Sequence, residues 1–284
     1  MDLILAYLDQ SCLDALYIST RNTLTHAICP RPRLVGICAT MTDPSVWRRD
    51  SPHRQALSIF LFLWLLSSSL FLLLFGGLCY LWNFDKSLKQ HPRYHKNQIW
   101  EEAQQSLLTL FLSTILTVPI LLTQVRGYAK LYDFGDCTVS ATYEVAQVAY
   151  FIIFSDTCMY WLHRLFHHPL LFNTMHKKHH RFIIPTPFSA YAFDPLEAWV
   201  MSLPIYAYSF LWPMSREIQL LVFGCANVWS FLIHDNRQQF HTVHHKNVQR
   251  NFGQYLDIWD RIAGTYADPG WYLRGKADVI VSSK

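Results

Sequence analysis

Leu57 to Trp82 reads LSIFLFLWLLSSSLFLLLFGGLCYLW, 26 residues without a charge. A core helix is rarely so long, and about 20 apolar residues suffice to cross a bilayer. The run commits the chain to a membrane. Two more follow: Ser106–Thr123 is uncharged and carries Pro119, and Val145–Leu162 is apolar around Asp156. Composition agrees, with 51% hydrophobic and 15% charged residues, against about 25% charged in soluble domains. Trp199–Ile233 is apolar too, but Pro204, Pro213 and the polar 215–217 interrupt it. Its legs of about 14–17 residues reach about 21–26 Å as helix, short of a roughly 30 Å hydrocarbon core. The expectation is a hairpin of two short helices turning near Trp212–Glu217.

The loop at 83–101 carries Lys86, Lys89, Arg93 and Lys96, whereas 124–142 carries Arg126 and Lys130, offset by Asp133 and Asp136. The positive-inside rule then puts 83–101 in the cytosol, and counting spans puts 163–180 there as well. Arg48, Arg49 and Arg54 before the first span pull the other way. The N-terminal MDLILAYLDQSCLDALY reads as a short amphipathic helix on a membrane surface, and Cys29–Pro44 as a proline-punctuated loop. No basic segment precedes an apolar core there, so no cleaved signal peptide is expected. Seven cysteines (Cys12, Cys29, Cys38, Cys79, Cys137, Cys158, Cys225) are odd in number and form no CxxC pair. Reduced thiols are expected, with neither a disulfide framework nor a thiolate zinc site. The net charge of +4 is too small to argue for nucleic acid. The expected organisation is an N-terminal region over 1–56, a transmembrane hairpin with its loops over 57–142, and a catalytic domain over 143–284.

That last region holds ten of the fourteen histidines. They fall in three boxes and one outlier: His163, His167, His168; His176, His179, His180; His234; and His241, His244, His245. His163 and His167 stand four residues apart, so they share a helix face, and HKKHH and HTVHH repeat the spacing. Two histidines one turn apart are an economical metal grip. Ten imidazoles exceed the ligands of one tetrahedral ion and suit two metals with positions left open. Imidazole-rich sites suit iron, copper, zinc or nickel, and softness does not choose among them. Asp156, Tyr160, His163 and His167 form one helical stripe. A carboxylate near a membrane marks function by default, so Asp156 is expected to accept a hydrogen bond from a ligand imidazole, with Asp235 as a second candidate. His26, His53, His91 and His95 read as ordinary structural histidines. Lys177, Lys178, Arg181, Lys246 and Arg250 around the boxes read equally as positive-inside residues or as a docking patch for an acidic partner.

HRLFHH, HKKHH and HTVHH, preceded by DTCMYW, resemble the fatty acid hydroxylase/sterol desaturase superfamily of membrane di-iron enzymes. HKKHHRFIIPTPFSAYAFDPLEAWVMSLP at 176–204, NVWSFLIHD at 227–235 and NFGQYLDIWDRIAGTY at 251–266 resemble the sterol C5-desaturases, or lathosterol oxidases. The resemblance covers most of the chain and is weak over 20–50. It implies an all-α integral membrane protein, a helical transmembrane bundle with a cytosolic helical cap carrying a His-rich dimetal site. It also implies removal of two hydrogens from C5 and C6 of a Δ7-sterol with O2, two iron ions, electrons from NAD(P)H through cytochrome b5 and its reductase, and residence in the endoplasmic reticulum membrane. An unactivated C–H bond has no acidic proton, so the cofactor must carry that step. Phe188, Tyr191 and Phe193 are candidates for the wall of an apolar sterol cavity open to membrane lipid, or for ordinary helix packing. The chain departs from the family between His234-Asp235 and HTVHH, where only Asn236–Phe240 intervene instead of a longer loop. A hydroxylase or C4-methyl oxidase of the same superfamily, or a non-catalytic relative, are the alternatives. A histidine-rich metal transporter fits less well, because its ligands should line the spans.

Overall fold

The computed structural model describes residues 9–29, 38–40, 43–136, 138–234 and 239–270. Residues 1–8 of the expected surface helix and Asp235, with most of the short 236–240 connection, lie outside these. The chain divides into two compact units, Met1–Trp64 with Thr114–Ala129, and Leu65–Ser113 with Lys130–Lys284. Among the described residues four helical segments are long and apolar enough to cross a membrane: Pro44–Trp82, Gln98–Val125, Ala141–Phe166 and Arg216–Ile233. Large apolar side chains stay exposed along them, among them Leu73, Leu74, Leu81, Leu108, Ile115, Val145 and Ile153. Such a surface is at home in lipid.

In the first unit, helix α1 (Asp14–Ile28) follows a helical turn over Asp9–Leu13 and runs well past Tyr17. The Asp14 carboxylate accepts from Arg49 and Arg54, and these two guanidinium groups hold its pKa down at about 2. Tyr17 shares a 2.9 Å hydrogen bond with Ser58, and the Arg54 guanidinium lies 4.8 Å from the Tyr17 ring centre. Cys29 and Cys38 form a disulfide, which corrects the expectation of reduced thiols at those two positions. Their nine-residue separation carries no motif. Cys79, Cys158 and Cys225 are free thiols.

Helix α2 comprises Pro52–Leu65, then π-helical turns over Leu66–Phe75, then Gly76–Trp82. In the second unit, its later residues Phe71, Leu72 and Cys79 form a core with Leu110, Ala190 and Phe231. Helix α3 (Gln98–Val125) carries a polar stripe that its apolar composition hides. Gln98 donates to the Ile184 carbonyl at 2.7 Å, Ser106 to Phe188 at 2.7 Å, Gln105 and Thr109 to Phe193 at 2.7 Å, and Ser113 to Pro195 at 3.0 Å. Glu102, fully buried, accepts from both the amide and the hydroxyl of Thr186. Buried irregular backbone needs hydrogen-bond partners, and this ladder supplies them for the loop after HKKHH.

Helix α4 (Ala141–Phe166) starts at the Ser140 cap, whose hydroxyl accepts from the Tyr143 amide, and delivers the chain to the first histidine box. Helices α5 (Pro195–Leu211) and α6 (Arg216–Ile233) make the expected hairpin, capped by Asp194 and Ser215. Its turn is held by a short parallel pairing of β2 (Met214–Ser215) with β1 (Leu131–Tyr132). Tyr143 donates to the Pro213 carbonyl at 2.7 Å and the Ser215 amide to Gln147 at 3.0 Å. Helices α7 (Gln239–Lys246) and α8 (Ile258–Ile262) close the described chain.

Candidate metal centre

The short helix α7 and the helical turns over 172–180 solve one geometric problem twice. On a helix, residues four apart lie on one face, and a neighbour in sequence is turned about 100° away. His176 and His180 therefore share a face, and His179 points elsewhere. On α7, His241 and His245 share a face, and His244 is the odd one. The structure docks the two segments so that each pair receives the other segment's odd histidine. His163, His167, His176, His180 and His244 form one group, and His179, His234, His241 and His245 form a second. Within each group the candidate ligand atoms lie within 4.8 Å of one another. His163 and His167 come from the end of α4, and His234 from the end of α6, its ring 4.6 Å from that of His241. The short connection between them does not keep His234 from its group.

The ring nitrogens fit cations. His163 donates from Nδ1 to the Phe252 carbonyl at 2.9 Å, His244 to Arg250 at 2.7 Å and His234 to Ser230 at 2.7 Å, and His176 bonds the Glu197 carboxylate. A proton on Nδ1 leaves Nε2 as a bare lone pair. The bare Nε2 atoms of His176 and His244 both face Nε2 of His180, at 2.9 and 3.1 Å. One N–H at most cannot satisfy two acceptors. Nε2 of His167, His241 and His245 is buried with no hydrogen-bond partner among the described residues. Nitrogens each about 2.1 Å from a shared ion lie about 3.0–3.4 Å apart, close to the 2.9 and 3.1 Å separations about His180. All-imidazole donor sets suit iron, copper, zinc or nickel.

The comparisons with known proteins agree with this geometry. A model of the fatty acid hydroxylase family matches residues 148–265. A Delta(7)-sterol 5(6)-desaturase of Leptosphaeria maculans is 41% identical over 235 residues, 79% of this chain and 66% of the relative. One of Aspergillus fumigatus is 35% identical over 297 aligned positions, 97% of this chain and 88% of the relative. The chain belongs to the fatty acid hydroxylase/sterol desaturase superfamily. Human lathosterol oxidase is 34% identical over 242 residues, 80% of each chain, which places this superfamily member beside the sterol C5-desaturases. The chain covers just under two thirds of the length of the Leptosphaeria relative. No solved structure matches.

The histidines of this superfamily member do not all converge. His168 is exposed at the turn after α4 and stands outside both groups; beside His167, it cannot share that residue's direction. Asp156 does not reach an imidazole. Its Oδ1 accepts from the backbone amides of Tyr255 and Leu256, at 2.8 and 3.2 Å; it stands two helical turns before His163. The Tyr160 hydroxyl bonds Thr265 at 3.0 Å and receives Arg164 at 3.2 Å, and its ring packs on Phe252 and Trp259. Asp235 lies outside the described residues. Phe193 stacks on His179 with ring centres 3.9 Å apart, whereas Phe188 and Tyr191 pack into the helix core with Phe231. The carboxylate that does meet a clustered histidine is Glu197, which sequence reasoning misses.

The loop after α7 builds the floor beneath His163. Asn251 takes a left-handed conformation, φ 57°, which asparagine tolerates better than most residues. Its side chain stitches Phe240 and Ala267 together. The buried Asp260 accepts from the amides of Phe252 and Gly253 at 2.9 and 2.7 Å and from Thr265 at 2.7 Å. The Phe252 carbonyl is thereby fixed for His163.

Burial holds His176, His179, His180, His241, His244 and His245 well below the ordinary histidine range, and His234 at about 4. Unfolded, the same rings take up protons near pH 6.5. The unfolded chain then binds more protons as pH falls, so stability present above about pH 6.5 is lost below it, at about 1.4 kcal/mol per pH unit for each ring. Metal-free protein is expected to lose thermal stability steeply from about pH 6.5 toward the His234 value of about 4. Melting curves across that range check it, and a flat profile contradicts it.

Proposed function

We propose that this chain is an O2-dependent sterol C5(6)-desaturase that introduces a C5=C6 double bond into a Δ7-sterol. The carrying observation is the convergence of histidines from three boxes and one outlier into two adjoining metal-binding groups, in a chain whose relatives are named Delta(7)-sterol 5(6)-desaturase and lathosterol oxidase. The five- and four-histidine groups would each hold one iron ion, which when bound would supply the O2-dependent oxidation that an unactivated C–H bond requires. Overall, the sterol loses two hydrogens, O2 is reduced to two waters, and two protons and two electrons are consumed, the electrons arriving from NAD(P)H through cytochrome b5. The protein's own work is positional. The carbonyls of Phe252, Arg250 and Ser230 and the Glu197 carboxylate fix the tautomers of His163, His244, His234 and His176. Burial of the rings keeps bulk water out. Phe193, stacked on His179, is placed to form the part of the sterol wall nearest the ligands. Expression in cells lacking their own C5-desaturase, followed by sterol profiling, tests the reading. Δ5,7-sterols are expected, and unchanged Δ7-sterols with folded, metal-loaded protein would rule it out.

We place the protein in the endoplasmic reticulum membrane with the histidine groups on the cytosolic side. The Cys29–Cys38 disulfide supports this orientation. It precedes the first span, and disulfides persist in the oxidising lumen but not in the cytosol. A glycosylation acceptor engineered near Ser45 is therefore expected to be modified, and one near Gln249 to stay bare. The opposite pattern would invert the orientation.

A further inference from the structure

Glu197 is fully buried in the first turn of α5, and its Oε1 is bonded to Nδ1 of His176. Its second oxygen, Oε2, meets no partner among the described residues. A carboxylate left so is strongly unfavourable unless positive charge lies close by. Lys178, whose charge reaches Glu197, is paired with Asp194 at 2.6 Å, so the direct contact through which Glu197 acts is its bond to His176. Among the described residues no other carboxylate bonds a histidine of either group. The remaining oriented rings, His163, His244 and His234, lean on neutral backbone carbonyls.

The two groups are thus unequal. One has five imidazoles, one of them bonded to a buried carboxyl group; the other has four, with backbone support only. An acceptor that draws the Nδ1 proton strengthens donation from Nε2, and such partners are worth about 10–100-fold in metal affinity. We propose that Glu197 is a positioning residue that makes the five-histidine group the slowly exchanging metal site and leaves the four-histidine group the labile one. The two ions then load and leave in a fixed order. The proposal rests on the two-ion reading above.

The test is chelator competition on the full-length, metal-loaded protein in detergent, with released metal followed over time. Wild type is expected to release one ion per chain quickly and one slowly. His179→Ala should abolish the fast phase and His244→Ala the slow one. Glu197→Gln keeps the size and a hydrogen-bond acceptor but removes the carboxyl group, and should speed the slow phase about 10–100-fold without touching the fast one. Glu102→Gln removes another fully buried carboxylate, one bonded to Thr186 and Gln98 rather than to a histidine, and should leave both phases alone. Fewer than two ions in wild type would overturn the two-ion reading itself. Two ions leaving at one rate, a slow phase untouched by Glu197→Gln or equally sped by Glu102→Gln, or loss of the slow phase in His179→Ala would overturn the role of Glu197 alone.

Discussion

Replacing His244 by alanine is expected to take the purified protein from two metal ions per chain to one and sterol desaturation to background. The His244 ring packs against three others of the five-histidine group. Its ring centre is 4.4 Å from that of His163 and 4.8 Å from those of His167 and His180. Removing it leaves a cavity among neutral imidazoles and no replacement donor among the described residues. Loss of a direct ligand should exceed the 10–100-fold penalty typical of removing a ligand's supporting partner, so about 100-fold is a floor. His179→Ala should do the same through the four-histidine group. Because the two ions act as one unit, the double variant should lose no more activity than either single one, although it loses both ions. Metal analysis and sterol profiling read the two effects separately. Both ions retained with wild-type turnover in His244→Ala would refute the grouping.

Gly253→Ala is expected to be the most damaging change that touches no histidine. A methyl group there would sit 2.3 Å from the Leu256 carbonyl oxygen and 3.0 Å from the Asp260 carboxylate. The first of these is backbone, and its segment is held by Asp156 through the amides of Tyr255 and Leu256. Neither side can give way cheaply, so the loop must shift. Overpacking of this kind costs about 1–3 kcal/mol. The shift would also carry off the Phe252 carbonyl that orients His163. The variant should melt earlier than wild type and bind less metal at the five-histidine group, by up to about 100-fold. Gly224→Ala, where an added methyl meets nothing within 4 Å, is the control and should leave both unchanged. Wild-type melting and metal content in Gly253→Ala would refute the close packing of this loop.

Residues that act by their spacing are legible in the sequence alone. The four-residue step puts His163 with His167, His176 with His180 and His241 with His245, and the uncharged runs mark the spans. The polar break at 212–217 marks the hairpin turn. Residues that act through a partner distant in sequence are not legible in this way. Glu197 follows Asp194 at capping-box spacing, which already explains a glutamate at that place. Asp156 shares a stripe with the ligands, which makes it look like their partner. Its true partners lie about a hundred residues later, in a loop whose backbone sends no signal. Three of the four groups that orient ligand rings are carbonyls, which any residue supplies. The stripe of Gln98, Ser106, Thr109 and Ser113 looks like tolerated polarity until the loop it satisfies is in place.

The interlocked two-plus-one arrangement of the histidine segments sets which changes evolution can make there. Lys177 and Lys178 are exposed, whereas Thr242 and Val243 are buried. In the first spacer Lys178 pairs with the α5 cap Asp194 and Lys177 is free to vary in chemistry, whereas the second spacer admits only small, compact side chains. Neither can vary in length. One residue gained or lost between His176 and His179 would rotate the downstream histidines by about 100°, emptying one group of a ligand and handing the other group a misdirected ring. A single codon insertion would thus disable both ions together.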